Sequence, residues 1–339
     1  MLQMGCGLFE KGTSMRKLKY IKAISEAIDE ELQLDQSVCY FGQDVGEFGG
    51  VWGTAPKFQK KYGQKRVFDT PLSESAIIGT AAGAAMTGLR PIAEIMYFDF
   101  VTVCMDPLVN QVAKLRYMSG GQLKLPLVVL AQFGSGSAEA AQHSQSLEAW
   151  FVHTPGLKVV MPSNVYDVKG LLKSAIRDDN PVVLLWNRRL YDLVEEVPEG
   201  EWTVPLGHAT IKREGTDVTV VATSYMVYEA LAAAESLSGE VSLEVIDPRS
   251  IVPLDLETIL QSVKKTGRLL VVHEANACCG IGAEIVRCVT EQAFGSLVAP
   301  PKVLGQIGIP MPFSPILESA TLPNEQKITL SVRKMMAKI

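Results

Sequence analysis

The chain has 339 residues, 47% of them apolar, a length that allows about two domains with sizeable cores. Charged residues make up 20% of the chain, and the formal net charge is -5 without a long run of one sign. These values give no indication of binding to nucleic acid or to an anionic membrane. The most apolar stretch, residues 76–89, is shorter than the roughly 20 residues that a membrane-spanning helix needs.

The first residues lack the apolar core of a secretory signal. We expect residues 1–15 to be a disordered leader, either an upstream start before Met15 or a short transit remnant. The six cysteines show no C-x-x-C spacing, and the four histidines are too scattered to complete a zinc site with them. Reduced thiols in the cytoplasm are therefore expected, and an organelle is also compatible with this pattern.

Helical and strand patterns then alternate. Residues 15–34 carry apolar residues at helical spacing and are predicted to be a helix. The apolar run VCYFG follows and is predicted to be a strand. Residues 166–177, 227–237 and 256–264 are predicted to be further helices. Between the helices lie short runs rich in valine and isoleucine: LPLVVLA, LKVVMP, NPVVLLW, DVTVVAT, VSLEVID and RLLVVHEA. This alternation predicts α/β architecture, with mostly parallel sheets covered on both faces.

The alternation stops at residues 191–207, an acidic stretch with two prolines and no helical stripe. We place the linker there. The first domain is predicted to span residues 16–200 and the second residues 205–339.

The segment FDTPLSESAIIGTAAGAAMTGL predicts a helix with Ser73 as its N-cap and Glu74 in its first turn. Gly79 and Gly83 lie on one face of this helix, so that a second subunit could approach closely. From the pattern alone, Glu74 is more often a solvated acid that complements the helix dipole.

Two further segments offer candidate side chains. Tyr97, Phe98 and Phe100 could form a wall for a flat ring, although core packing explains them equally well. The glycine- and serine-rich loop at 134–137 leads to His143, near which a helix is predicted to begin. His143 could transfer protons near neutral pH, but a lone histidine is more often an exposed residue.

The segment ANACCGIGAEIV follows a strand but has isoleucine at position 285, where the dinucleotide fingerprint needs its third glycine. An electron carrier that binds NAD or flavin is therefore a weak alternative. A tight turn between a strand and a helix is sufficient to explain the segment.

Six segments, DTPLSES, LRPIAEIMYFDF, KLRYMSGG, AAQHSQSLEAW, PGLKVVMPSN and LKSAIRDDNPVV, occur in the order of family landmarks. They resemble the beta subunits of the thiamine-diphosphate-dependent first component of pyruvate, branched-chain 2-oxo acid and acetoin dehydrogenase complexes. The resemblance covers about residues 16–330. It implies a transketolase-like pyrimidine-binding domain followed by a transketolase C-terminal-like domain.

The resemblance also implies roles for single residues. Glu74 matches the glutamate that hydrogen-bonds the aminopyrimidine ring, with Phe100 packing against that ring and Met96 beside it. His143 matches a histidine on the thiazolium side of the cofactor. A structural potassium ion in some family members is held by main-chain oxygens, which correspond here to Leu127, Ala175, Asp178 and Asn180.

The chemistry of thiamine explains these residue types. The cofactor's amino group removes a weakly acidic ring proton only in its imino form, and a carboxyl group that shares a proton with the opposite ring nitrogen favours that form. The family holds the diphosphate and magnesium with a G-D-G motif, which this chain lacks. The resemblance therefore implies an alpha subunit that holds magnesium, an alpha2-beta2 heterotetramer, and docking to a lipoyl-bearing acyltransferase core.

The substrate stays open at this point. Pyruvate and acetoin rank equally, and the expected reaction passes a two-carbon unit to lipoyl groups. A branched-chain 2-oxo acid dehydrogenase is the alternative within the class. A non-catalytic paralogue that only scaffolds the complex is an alternative outside it.

Overall fold

The computed structural model describes residues 14–337. The predicted leader therefore lies outside the described residues, except for Ser14 and Met15. The described strands are β1 Met15–Lys19, β2 Val38–Gly42, β3 Val67–Asp69, β4 Arg90–Ile95, β5 Val128–Phe133, β6 Lys158–Val160, β7 Val182–Asn187, β8 Val194–Pro198, β9 Thr210–Arg213, β10 Val218–Ala222, β11 Leu243–Asp247, β12 Ser250–Val252, β13 Leu269–Asn276 and β14 Lys302–Gln306.

The α-helices lie mostly between these strands, as the alternation predicts. They are α1 Tyr20–Leu34, α2 Phe58–Tyr62, α3 Glu74–Met86, α4 Ala113–Met118, α5 Glu148–Val152, α6 Val165–Arg177, α7 Met226–Ser236, α8 Leu256–Thr266, α9 Ile281–Ala293, α10 Pro315–Thr321 and α11 Glu325–Met336. None of the helices in the described part of the chain is both long enough and apolar enough to cross a membrane.

An N-terminal unit consists of residues 14–134 and 150–206. Its parallel strands run in the order β6-β7-β5-β4-β2-β3. The valine- and leucine-rich strands β5 and β7 are buried along their whole length, as expected for strands covered on both faces. The predicted α/β class is therefore confirmed for this half.

The N-terminal unit also contains a small antiparallel ribbon that the sequence patterns did not predict. Residues 15–19 form β1 rather than the first turns of a helix, and they pair with β8 inside the predicted linker. In the ribbon Lys17 lies opposite Glu196, which is a favourable cross-strand pair. The buried Leu18 anchors β1, so the pairing prevails over the helical spacing.

A C-terminal unit contains residues 207–337 together with the separate segment 135–149. Its sheet has the order β14-β13-β10-β11-β9, and only β9 runs antiparallel to its neighbour. Helices α7 and α11 contribute buried residues to one core with β10, β11 and β13. The domain bounds 16–200 and 205–339 stay a prediction.

The predicted helices at 166–177, 227–237 and 256–264 are confirmed within a few residues as α6, α7 and α8. The segment ANACCGIGAEIV forms the tight turn from β13 to α9 that the broken glycine pattern indicates. The helix predicted near His143 is wrong in its position. It begins at Glu148, because residues 134–147 are irregular backbone with positive φ at Gly134, Gly136 and Ala138.

Candidate functional site

Glu74 is the first residue of α3 and is half-buried. Ser73 occupies the predicted N-cap position, but its side chain makes no capping hydrogen bond. The next residue, Ser75, donates from its hydroxyl to the main-chain oxygen of Val103 at 2.6 Å. Burial raises the pKa of the Cys104 thiol to about 12, and the charge of Glu74 adds to that shift. The Glu74 carboxylate therefore lies close to the turn formed by residues 98–104.

That turn, the 3-10 helix Phe98–Cys104, carries the predicted aromatic wall. Phe100 is half-buried, and its ring meets Tyr97 edge-on with 5.6 Å between the centroids. Tyr97 in turn meets Trp52 at 5.4 Å. The main-chain oxygen of Met96 accepts a hydrogen bond from the Trp52 indole at 3.0 Å. The N-terminal unit thus places Glu74 on α3 and Phe100 on the turn 98–104, two elements joined by the Ser75–Val103 hydrogen bond, with Met96 just before that turn.

A fully buried acid at the end of β4, Glu94, was not found from the sequence. Thr54 donates from its hydroxyl to the Glu94 carboxylate at 3.0 Å, and the Tyr40 hydroxyl contacts both side chains. Burial raises the pKa of Glu94 to about 7, although the two hydrogen bonds oppose that shift. A glutamate in the apolar run RPIAEI could have been noted as a candidate, because buried acids are rare in strands.

We expect Glu94→Gln to flatten the dependence of stability on pH. Between the ordinary glutamate pKa and about pH 7, the unfolded chain loses a proton that the folded chain keeps, so stability falls as pH rises. Glutamine cannot ionise, so this slope should decrease by up to about 1.4 kcal/mol per pH unit. Urea unfolding of the full chain at pH 5 and pH 7 measures it. The control is Glu47→Gln at an exposed acid of the same unit, and parallel curves for parent and Glu94→Gln would contradict the expectation.

His143 lies in the segment 135–149 of the C-terminal unit, whereas Glu74 belongs to the N-terminal unit. His143 is half-buried. The same segment contains Glu148, a second acid that the sequence patterns did not single out. Burial raises the pKa of Glu148 to about 7, and the nearby carboxylate of Glu274 adds to the shift. Burial therefore favours the protonated form of Glu148 more than that of an exposed glutamate.

One of the four main-chain oxygens named for potassium, that of Asp178, lies near Arg90 of β4. Its Nη1 atom donates to the oxygen of Asp178 at 3.1 Å, and the oxygen of Leu127 accepts from Val182 N at 2.9 Å. Each carbonyl keeps a second lone pair, but a potassium ion on Asp178 would share that oxygen with a guanidinium. The potassium site stays a prediction. Within residues 14–337, no group of three or more His, Cys, Asp or Glu side chains is arranged to hold a metal ion.

Comparison with known proteins agrees with this architecture. Residues 16–193 match the family model of the transketolase pyrimidine-binding domain, and residues 207–328 match that of the transketolase C-terminal domain. A solved structure described as a split-gene transketolase, an inactive beta4 tetramer, superposes with a TM-score of 0.77 at 22% identity. It covers 93% of this chain and 97% of its own, and it supports the fold alone.

Several curated relatives match nearly the whole chain. The beta subunit of acetoin:2,6-dichlorophenolindophenol oxidoreductase from Cupriavidus necator is 47% identical, over 95% of this chain and 98% of its own. The beta subunit of the pyruvate dehydrogenase E1 component from Bacillus subtilis is 44% identical, over 95% and 99%. The 2-oxoisovalerate dehydrogenase beta subunit from the same organism is 42% identical over the same shares. The chain therefore belongs to the transketolase-like family of beta subunits of acetoin and 2-oxo acid dehydrogenases.

Proposed function

We propose that this chain supplies the activating acid and a proton-transfer histidine to a thiamine-diphosphate-dependent dehydrogenase that cleaves pyruvate or acetoin. The observation that carries the proposal is the position of Glu74, a half-buried carboxylate at the start of α3 beside the aromatic turn 98–104. An acid next to apolar and aromatic groups suits a ring that must be bound and protonated at one nitrogen.

Bound thiamine diphosphate would supply a carbanion equivalent that adds to the carbonyl group of the substrate. Glu74 would hold a proton on its carboxyl oxygen against one nitrogen of the pyrimidine ring. Phe100 would pack on the flat face of that ring, and Met96 would fill the space beside it. His143 would give or take a proton at one ring nitrogen while the two-carbon unit passes to a lipoyl acceptor.

The rest of the cofactor site is proposed to come from an alpha subunit. The chain has no G-D-G motif for a diphosphate and its magnesium. On α3, a side chain built at Gly79 or at Gly83 would meet nothing within 4 Å, and Gly79 is exposed. An exposed helix face with glycines allows close approach of another subunit, because glycine has no Cβ. We propose that this face meets the alpha subunit in an alpha2-beta2 heterotetramer, which docks to a lipoyl-bearing acyltransferase core.

We expect the isolated chain not to bind thiamine diphosphate with micromolar affinity, because it lacks ligands for the diphosphate and magnesium. Titration calorimetry with the chain alone, the alpha subunit alone and their mixture measures this. Only the mixture should bind tightly. Micromolar binding by the isolated chain would show that the cofactor site is misplaced.

A bulky substitution on the glycine face of α3 tests whether this face contacts the alpha subunit. Gly79→Phe adds a ring to open space on α3, so the isolated chain should fold as the parent does. If the glycine face meets the alpha subunit, this variant should fail to form the tetramer in sedimentation experiments. Gly295→Phe, at an exposed and open glycine of the C-terminal unit without a positive φ, should assemble normally.

The substrate is proposed to be pyruvate or acetoin, because the relatives include subunits of both kinds at similar identity. A branched-chain 2-oxo acid is tested as well, because the chain is also similar to a 2-oxoisovalerate dehydrogenase beta subunit. Turnover of the reconstituted tetramer on the three substrates distinguishes them. A scaffolding role alone would leave all three unconverted.

A further inference from the structure

The segment 135–149, which carries His143, is hydrogen-bonded to the rest of the C-terminal unit by the carboxylates of Glu318 and Glu274. Glu318 of α10 is 4% exposed, and its two oxygens accept hydrogen bonds from two backbone N–H groups. Gly136 N donates to Oε1 at 2.8 Å, and Ala138 N donates to Oε2 at 3.1 Å. Ser135 Oγ also donates to Glu274 Oε1 at 3.1 Å. One side chain thus fixes two backbone positions of the segment.

The backbone of this segment needs such support. Ala138 has a φ of 54° and Ala140 a φ of 61°, values in the left-handed region that residues with a Cβ rarely adopt. Charged acceptors make stronger hydrogen bonds to N–H groups than neutral ones do. The two backbone N–H groups of Gly136 and Ala138 compensate the burial of the Glu318 carboxylate.

We propose that Glu318 is a positioning residue for His143, which holds the segment 135–149 in the conformation that presents the histidine for acyl transfer. This rests on the role of His143 under the proposed function. Glu318 itself touches neither substrate nor cofactor. It acts through Gly136 and Ala138, on the chain that leads to His143.

The direct test is Glu318→Gln. The amide has a single oxygen, so one of the two N–H donors then faces an NH₂ group that is itself a donor. Glu318→Asp keeps both oxygens on a shorter side chain and should restore part of the function. The matched control is Glu244→Gln, because Glu244 is another buried glutamate of the C-terminal unit that accepts a backbone N–H, here from Gly215.

The first readout is hydrogen–deuterium exchange of the full chain, followed by mass spectrometry of peptides from 135–149. In Glu318→Gln, exchange in these peptides should be at least about tenfold faster, as expected for local opening. In Glu244→Gln it should equal that of the parent. Unchanged exchange in Glu318→Gln would overturn the anchoring role, whatever the activity of the enzyme.

The second readout is a double-mutant cycle in the reconstituted tetramer. Glu318→Gln should lower lipoamide turnover about tenfold or more and leave the KM for thiamine diphosphate within about twofold. In a His143→Ala background it should cause no further loss, because both changes act through one group. A full additional loss in that background would overturn the proposal. If His143→Ala alone keeps parental turnover, the role of His143 fails and the functional part of this proposal fails with it, while the exchange experiment still decides the anchoring.

Discussion

Glu74→Gln in the assembled tetramer is expected to lower turnover by about a thousandfold while the protein still folds and assembles. The substitution keeps the size of the side chain and a hydrogen-bonding head, and it removes only the proton that the carboxyl group can share. The Ser75 hydrogen bond to Val103, which joins α3 to the aromatic turn, does not involve the altered atoms. Oxidation of pyruvate or acetoin by the reconstituted enzyme measures the loss.

Helix α8 offers a matched control. Glu257 also lies in the first turn of a helix, but it is exposed and belongs to the other unit. Glu257→Gln removes a comparable charge near a helix N-terminus, so it tests the dipole effect alone. We expect this variant to keep parental turnover. Similar losses in both variants would return Glu74 to the role of an ordinary first-turn acid.

His143→Ala is expected to lower transfer to lipoamide by about a hundredfold while cofactor affinity stays within about twofold. The loss of a proton-transfer group has an effect of this size, whereas the ring contacts assigned to Glu74 and Phe100 are untouched. Single-turnover kinetics with lipoamide as acceptor measure the step, and calorimetry of the tetramer measures affinity. A change confined to the transfer step would support the assignment.

His153 provides the control for this prediction, because it is an exposed histidine shortly after the same segment. His153→Ala should match the parent in both measurements. Unchanged transfer in His143→Ala would make His143 a structural residue of the segment 135–149. A loss of cofactor affinity as large as the loss of transfer would place it against the cofactor as a binding group instead.

Much of the fold could be predicted from local patterns. Runs such as LPLVVLA and NPVVLLW are apolar on both faces, and this fits their position inside a covered sheet. The ribbon of β1 and β8 could not be predicted this way, because its partners are far apart in sequence and Met15–Lys19 continues the helical spacing of α1. Pairing between distant segments is not encoded in a local period.

Some residues of the candidate site could be predicted from the sequence, and others could not. Glu74 at a helix start and the aromatic residues after β4 follow from spacing and the family landmarks. The attachment of the segment 135–149 to the C-terminal unit does not follow from either, because Glu318 is far along the chain from Gly136. Glu94 and Glu148 were missed because burial, and not residue type, raises the pKa of each acid to about 7.

The most direct test of the account is the exchange of the cofactor's acidic ring proton with deuterium in the assembled enzyme, read by NMR after acid quench. If Glu74 supplies the activating proton, Glu74→Gln should slow this exchange by about a hundredfold or more relative to the parent, while Glu257→Gln leaves it unchanged. The experiment needs no substrate and no lipoyl acceptor, so it isolates the step assigned to this side chain. Exchange as fast in Glu74→Gln as in the parent would contradict the assignment of Glu74 and remove the main support for the thiamine site.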